Sequence, residues 1–121
     1  MRIGELARKA GINASKVRFY EASGLLPSVA RSANGYRDYD EHALQVVMFV
    51  KLAQSFGFSL REVTAHLRAP EKGAARKARL HARLVSKLAE LDAHMEAMRA
   101  RRAALHELIE EVHRAHAAEM R

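Results

Sequence analysis

Cysteine is absent from all 121 residues. That absence removes disulfides, thiolate metal sites, iron–sulfur clusters and cysteine nucleophiles at once. Proline is nearly as scarce, at two residues, so the forced helix stops fall at Pro27 and Pro70. No apolar run approaches the roughly 18 residues of a membrane span. The start Met1-Arg2-Ile3-Gly4 has no signal-peptide core, which makes the cytoplasm the expected compartment. No nucleophile–base constellation, glycine-rich phosphate loop or paired-carboxylate pocket is visible either, so neither an enzyme nor a cofactor is expected.

What the chain has in excess is positive charge: 21 Lys and Arg against 14 Asp and Glu, a net +7. Such a balance favours a polyanionic partner, because neutralising phosphates releases counterions. The length admits one compact domain and one long element, but no second large domain.

Ile3, Leu6, Ala7 and Ala10 recur at helical spacing, and Gly11 closes the segment. Asn13 is placed to cap a second helix whose Val17 and Phe19 or Tyr20 face inward before Gly24. Two short helices joined by a glycine turn make a helix-turn-helix. Beyond Pro27, Asn34-Gly35 supplies the positive φ angles of a tight hairpin, predicting a two-stranded wing over residues 28–38. Asp40 caps a helix with apolar positions Leu44, Val47, Met48, Val50 and Leu52, running to Ser55 and terminated by Gly57. Ser59-Leu60-Arg61-Glu62 is a capping box that starts a further helix at Leu60, with Val63 and Leu67 inward. The expected division is a DNA-binding head at 1–69, a linker at 70–73 and one helix at 74–121.

From Ala74 to about Ala117 nothing breaks the helix, and its length is too great for a small monomeric core. Leu84, Leu88, Leu91, Met95, Met98, Leu105, Ile109 and Val112 alternate steps of three and four, the spacing of a coiled-coil seam. Arg102 takes the one interior slot that breaks the apolar series. A charged seam residue fixes register or orientation, or snorkels to water.

The ordered residues Ile3-Gly4-Glu5-Leu6-Ala7, Gly11-Ile12, Val17-Arg18-Phe19-Tyr20-Glu21, Gly24-Leu25-Leu26, Asn34-Gly35-Tyr36-Arg37, Tyr39 and Gly57-Phe58-Ser59-Leu60 carry a likeness. Over about the first 68 residues the chain resembles the MerR family of bacterial transcriptional regulators. The resemblance implies a mainly α fold: a winged helix-turn-helix head, two further helices, and a long helix that dimerises as an antiparallel coiled coil. It implies a homodimer on a pseudo-palindromic promoter operator, which it bends and untwists to control RNA polymerase.

The same resemblance places Arg18 against the major groove or its phosphates, with Ser15 and Lys16 beside it. Phe19 stands where the family often has tyrosine and is expected in the core, leaving Tyr20 as the phosphate-contacting hydroxyl. Arg31, Tyr36 and Arg37 match phosphate-holding positions of the wing, whereas Tyr39 either joins them or packs on the following helix. Asn34 and Gly35 serve the turn.

The run Lys72, Arg76, Lys77, Arg79, Arg83 and Lys87 contains no acid, and the helix beyond Leu88 is net acidic. This reads as a solvated face, as charge pairing between antiparallel helices, or as a site for an anionic effector. His81, His94, His106, His113 and His116 invite a metal, but sensors of this family use cysteines, so no metal is expected. Met95 and Met98 are seam fillers. Two rivals stand beside the regulator. One is an architectural or excisionase-like DNA-bending factor. The other is an interaction protein whose long helix is the working part.

Overall fold

The computed structural model describes residues 1–26, 30–31 and 35–121, with residues 30 and 31 described in backbone only. The helix stop expected of Pro27, the turn role of Asn34 and the side chain of Arg31 therefore lie outside the described residues. In chain order the elements are α1 (Ile3–Ala10), α2 (Ala14–Ala22), β1 (Ala30–Arg31), β2 (Arg37–Asp38), α3 (Glu41–Ser55), α4 (Leu60–Arg68) and α5 (Gly73–Glu119). They form two compact units, Met1–Gly73 and Ala74–Arg121.

The boundaries follow from local chemistry. Gly11 sits at φ 71° and closes α1, donating its N–H to carbonyls of the last turn. Asn13 accepts the Lys16 N–H at 2.8 Å, and Asp40 accepts that of Ala43 at 2.9 Å. In the capping box, the Glu62 N–H donates to Ser59 Oγ at 3.1 Å while the Ser59 N–H donates to Glu62 Oε1 at 2.9 Å. Each such cap is worth about 1 kcal/mol. The last carbonyl of α1 gains a tertiary partner as well, because Lys51 Nζ on α3 donates to Ala10 O at 2.7 Å.

Around these helices Leu6, Val17, Tyr20, Tyr39, Val47 and Val50 are buried almost completely and form the centre of the head's core. On α3 the inward set is Ala43, Val46, Val47, Val50 and Ala53. Of the apolar positions that mark this helix in the sequence, Met48 and Leu52 lie exposed with Phe56 along a second stripe. The reason is angular: positions 43, 46, 47, 50 and 53 keep helical spacing on one side, and 48 and 52 fall off it. The wing pairs β1 with β2 antiparallel, Ala30 opposite Asp38 and Arg31 opposite Arg37. Gly35 enters β2 at φ 79°, a conformation that favours glycine.

α5 is a single helix of 47 residues, about 70 Å at 1.5 Å per residue. None of its residues is buried. Leu84, Leu88, Leu91, Met95, Met98, Leu105, Ile109 and Val112 are all exposed, and so are Arg102 and Leu108. Among the described residues no helix is long and apolar enough to cross a membrane.

Candidate nucleic-acid interface

α2 has two faces. Val17 and Tyr20 enter the core, while Ser15, Arg18, Phe19 and Ala22 form an outward stripe with Lys16 exposed beside it. The expected roles of Phe19 and Tyr20 are thereby exchanged: Phe19 is 55 % exposed and Tyr20 only 1 %. With Val17 anchored inward, a residue three positions on lies about 60° away around the helix, and one two positions on about 160° away. The Tyr20 hydroxyl donates to Gln54 Oε1 at 3.0 Å, a tie from α2 to α3 rather than a phosphate ligand.

Tyr39 takes the packing alternative. Its ring is buried and its hydroxyl donates to Glu21 Oε2 at 3.0 Å. Burial first, and then the neighbouring Glu21 carboxylate, raise the phenol's pKa above its ordinary value, with Arg37 opposing. The backbone at Tyr39 is fixed from the other end of the head. Its N–H donates to Met1 O at 2.7 Å, and the Met1 ammonium donates to Tyr39 O at 2.5 Å and Asp38 Oδ1 at 2.9 Å.

Arg37 bonds to the same Glu21 carboxylate, its Nη1 lying 2.5 Å from Oε2. A guanidinium has five N–H donors, so one carboxylate does not exhaust it, and Arg37 remains 42 % exposed. On the same side of the head, Arg2, Ile3, Gly4, Arg18, Gly35, Tyr36 and Arg37 line a groove of about 620 Å³. Within it the Arg2 guanidinium lies over the exposed Tyr36 ring, 4.3 Å from its centroid. Three cations and an aromatic hydroxyl thus converge between the start of α1, the outer face of α2 and the wing. This grouping can take phosphates by charge and hydrogen bond.

Of the candidate DNA-contacting residues, the structure gathers Arg18, Tyr36 and Arg37 around this groove and leaves Ser15 and Lys16 exposed on α2. Tyr20 and Tyr39 are withdrawn from it into the core. Two participants went unread in the sequence. Arg2 precedes the first helix, where periodicity gives no signal. Glu21 is the only acid on α2, and that isolation in a basic-aromatic segment was a usable clue.

Among the described residues no three of His, Asp and Glu come together as a metal site. Arg76 to Lys87 of the basic run, His113 and His116 lie along α5, where no residue is buried, and Lys72 just precedes it.

Comparison with known proteins agrees with this geometry. The MerR HTH family regulatory protein pattern covers residues 1–70, and the pattern described as MerR, DNA binding, covers residues 44–108. An HTH-type transcriptional regulator of Pseudomonas aeruginosa is 34 % identical over 110 residues, 91 % of this chain and 83 % of its own length. A transcription regulator from Ralstonia metallidurans, solved in complex with lead(II), is 36 % identical with a TM-score of 0.73, across 89 % of this chain and 84 % of that one. A MerR family regulator lacking the sensor domain, solved bound to promoter DNA, shares the fold at 23 % identity and a TM-score of 0.64, over 79 % of this chain and 75 % of that one. With more than half its length matched by the family pattern, the chain belongs to the MerR family of helix-turn-helix transcriptional regulators.

Proposed function

We propose that the protein acts as a homodimer on a pseudo-palindromic promoter operator, which it distorts to control access by RNA polymerase. The carrying observation is the convergence of Arg2, Arg18, Tyr36 and Arg37 on one groove beside the outward face of α2. In this reading Ser15, Lys16 and Arg18 face the major groove, while Arg2, Arg31, Tyr36 and Arg37 hold flanking phosphates. That the fold occurs on promoter DNA in a family regulator supports it. Gripping phosphates on both sides of the docked helix is what bending requires, since a deformation cost of a few kcal/mol must be offset by contacts.

The head over residues 1–69 and the helix over 74–121 divide the labour, with 70–73 between them. A 47-residue helix with an exposed apolar seam and no buried residue presents a surface suited to a partner helix. Antiparallel pairing with its copy covers Leu84 through Val112, sets the basic first half against the acidic second, and places Arg102 as the polar position that fixes register. A regulator of bacterial promoters works in the cytoplasm, where its DNA lies. The lead of the Ralstonia relative does not carry over, because this chain has no cysteine to supply soft thiolate donors. Membership of a family of transcriptional regulators favours this reading over the architectural alternative.

Binding to a duplex selected from a randomised library, measured across salt concentrations, tests the DNA face. Arg18→Ala with Lys16→Ala is expected to weaken binding to the selected duplex and to relax its base preference, because side chains in the major groove read base edges. Unchanged affinity and base preference overturn the placement of α2. Sedimentation tests the pairing: the native chain runs as a dimer, and Leu91→Glu with Leu105→Glu runs as a monomer.

A further inference from the structure

Phe19 has no role in the fold or in phosphate binding as described above. Its ring is more than half exposed on the outward stripe of α2, with one aromatic neighbour, Tyr20, at 6.1 Å between centroids and planes inclined at 51°. Ser15 and Ala22, one turn to either side on the same stripe, are small and exposed, so the phenyl stands clear between them next to Arg18. A large apolar ring thus stands in water beside two exposed cations, Lys16 and Arg18, and covering it would gain the free energy of burying its apolar surface. Any surface that reaches the ring also reaches Arg18, so the occupant must offer negative charge and an apolar spot together. DNA offers both.

A phenyl has no hydrogen-bond donor or acceptor and so cannot take a phosphate as a tyrosine does. In the major groove the one base-edge feature it favours is the C5 methyl group of thymine. We propose that Phe19 is a specificity-determining residue that selects thymine, once in each half-site, by packing its ring on that methyl. The inference rests on the reading that α2 enters the major groove, and adds to it the identity of a base. The small side chains of Ser15 and Ala22 serve this contact by letting the helix seat deeply enough for the ring to reach the groove floor.

Replacing thymine by deoxyuridine deletes only the methyl, which makes the test specific. In the duplex selected by the full-length protein, each thymine is exchanged in turn at symmetry-related positions. At one such position the native protein is expected to lose about fourfold in affinity per half-site and about fifteenfold for both, the worth of one buried methyl each. Phe19→Ala is expected to bind the thymine and uracil duplexes equally. Phe19→Gln, which keeps a long side chain without an apolar ring, loses the penalty too and serves if the alanine variant does not fold. The proposal is overturned if no exchange carries a penalty, or if the penalty persists in these variants. It is also overturned if Phe19→Ala weakens both duplexes alike, which marks a sugar or backbone contact. Arg18→Ala separates the two levels: weakened binding without a uracil penalty removes Phe19 alone, whereas unchanged binding removes the docking of α2 as well.

Discussion

Arg37 and Glu21, sixteen residues apart, are joined by a 2.5 Å hydrogen bond that ties strand β2 to the helix α2. The same carboxylate oxygen accepts the Tyr39 hydroxyl at 3.0 Å. One acid on α2 thereby holds both β2 and Tyr39 to that helix. Its own negative charge lies beside the groove that Arg2, Arg18, Tyr36 and Arg37 line.

That position makes Glu21→Ala informative, because two effects oppose each other. Removing an acid makes the head more positive, which by electrostatics alone tightens DNA binding. Losing the hold on Arg37 and Tyr39 misplaces the wing. Orientation is expected to win, with operator affinity falling about three- to tenfold and stability by about 1–2 kcal/mol, since a half-exposed ion pair contributes little beside the Tyr39 hydrogen bond. Tighter binding in a titration at fixed salt would refute the positioning role.

Tyr20→Phe separates structure from contact. Deleting the hydroxyl that donates to Gln54 is expected to cost about 0.5–1.5 kcal/mol in urea unfolding and to leave the DNA affinity of the folded protein unchanged at fixed salt. A loss of affinity would put the hydroxyl on a phosphate after all.

Arg2 is expected to behave in the opposite way. Arg2→Ala removes the cation over the Tyr36 ring at an exposed site, so the melting temperature barely moves. The salt slope falls by about one per half-site if the guanidinium neutralises a phosphate. Tyr36→Ala should weaken binding in its own right and also reduce the effect of removing Arg2. Strictly additive losses would show that stacking does not orient the arginine.

Tyr39 confers a pH dependence at the alkaline end. Its folded pKa lies above the ordinary tyrosine value near 10, because burial and Glu21 disfavour the phenolate. The folded state therefore keeps a proton that the unfolded state releases. The stabilisation is complete below about pH 10 and is lost as pH rises through the raised folded pKa. Comparing melts of the native chain and Tyr39→Phe from about pH 9 upward should show a steeper fall in the native chain. Parallel curves would show that the phenol does not titrate differently on folding.

Helix ends were legible in the sequence because each is decided within four residues. Asn13, Asp40 and the Ser59–Glu62 box cap α2, α3 and α4 as their spacing implies, and Gly11 closes α1. The single helix of α5 was legible for a related reason, since no proline and no run of turn residues interrupts it from Gly73 to Glu119. The partition of α2 and α3 was harder. Both helices are rich in apolar groups on more than one side, so composition permits several inward faces, and only a strict angular count from Val17 places Tyr20 inside and Phe19 outside.

The sequence by itself determined the elements, their caps, the basic balance and the family, because these rest on local hydrogen bonding, periodicity and ordered motifs. Only the tertiary structure decided which aromatic group of α2 lies outward, that Tyr39 is a core residue, and that Arg2 stacks on Tyr36 across 34 positions of chain. The same holds for Glu21, which answers to Arg37 and Tyr39 at once. These are contacts between elements distant in sequence, where the choice among partners is made by packing geometry, and no local rule contains it.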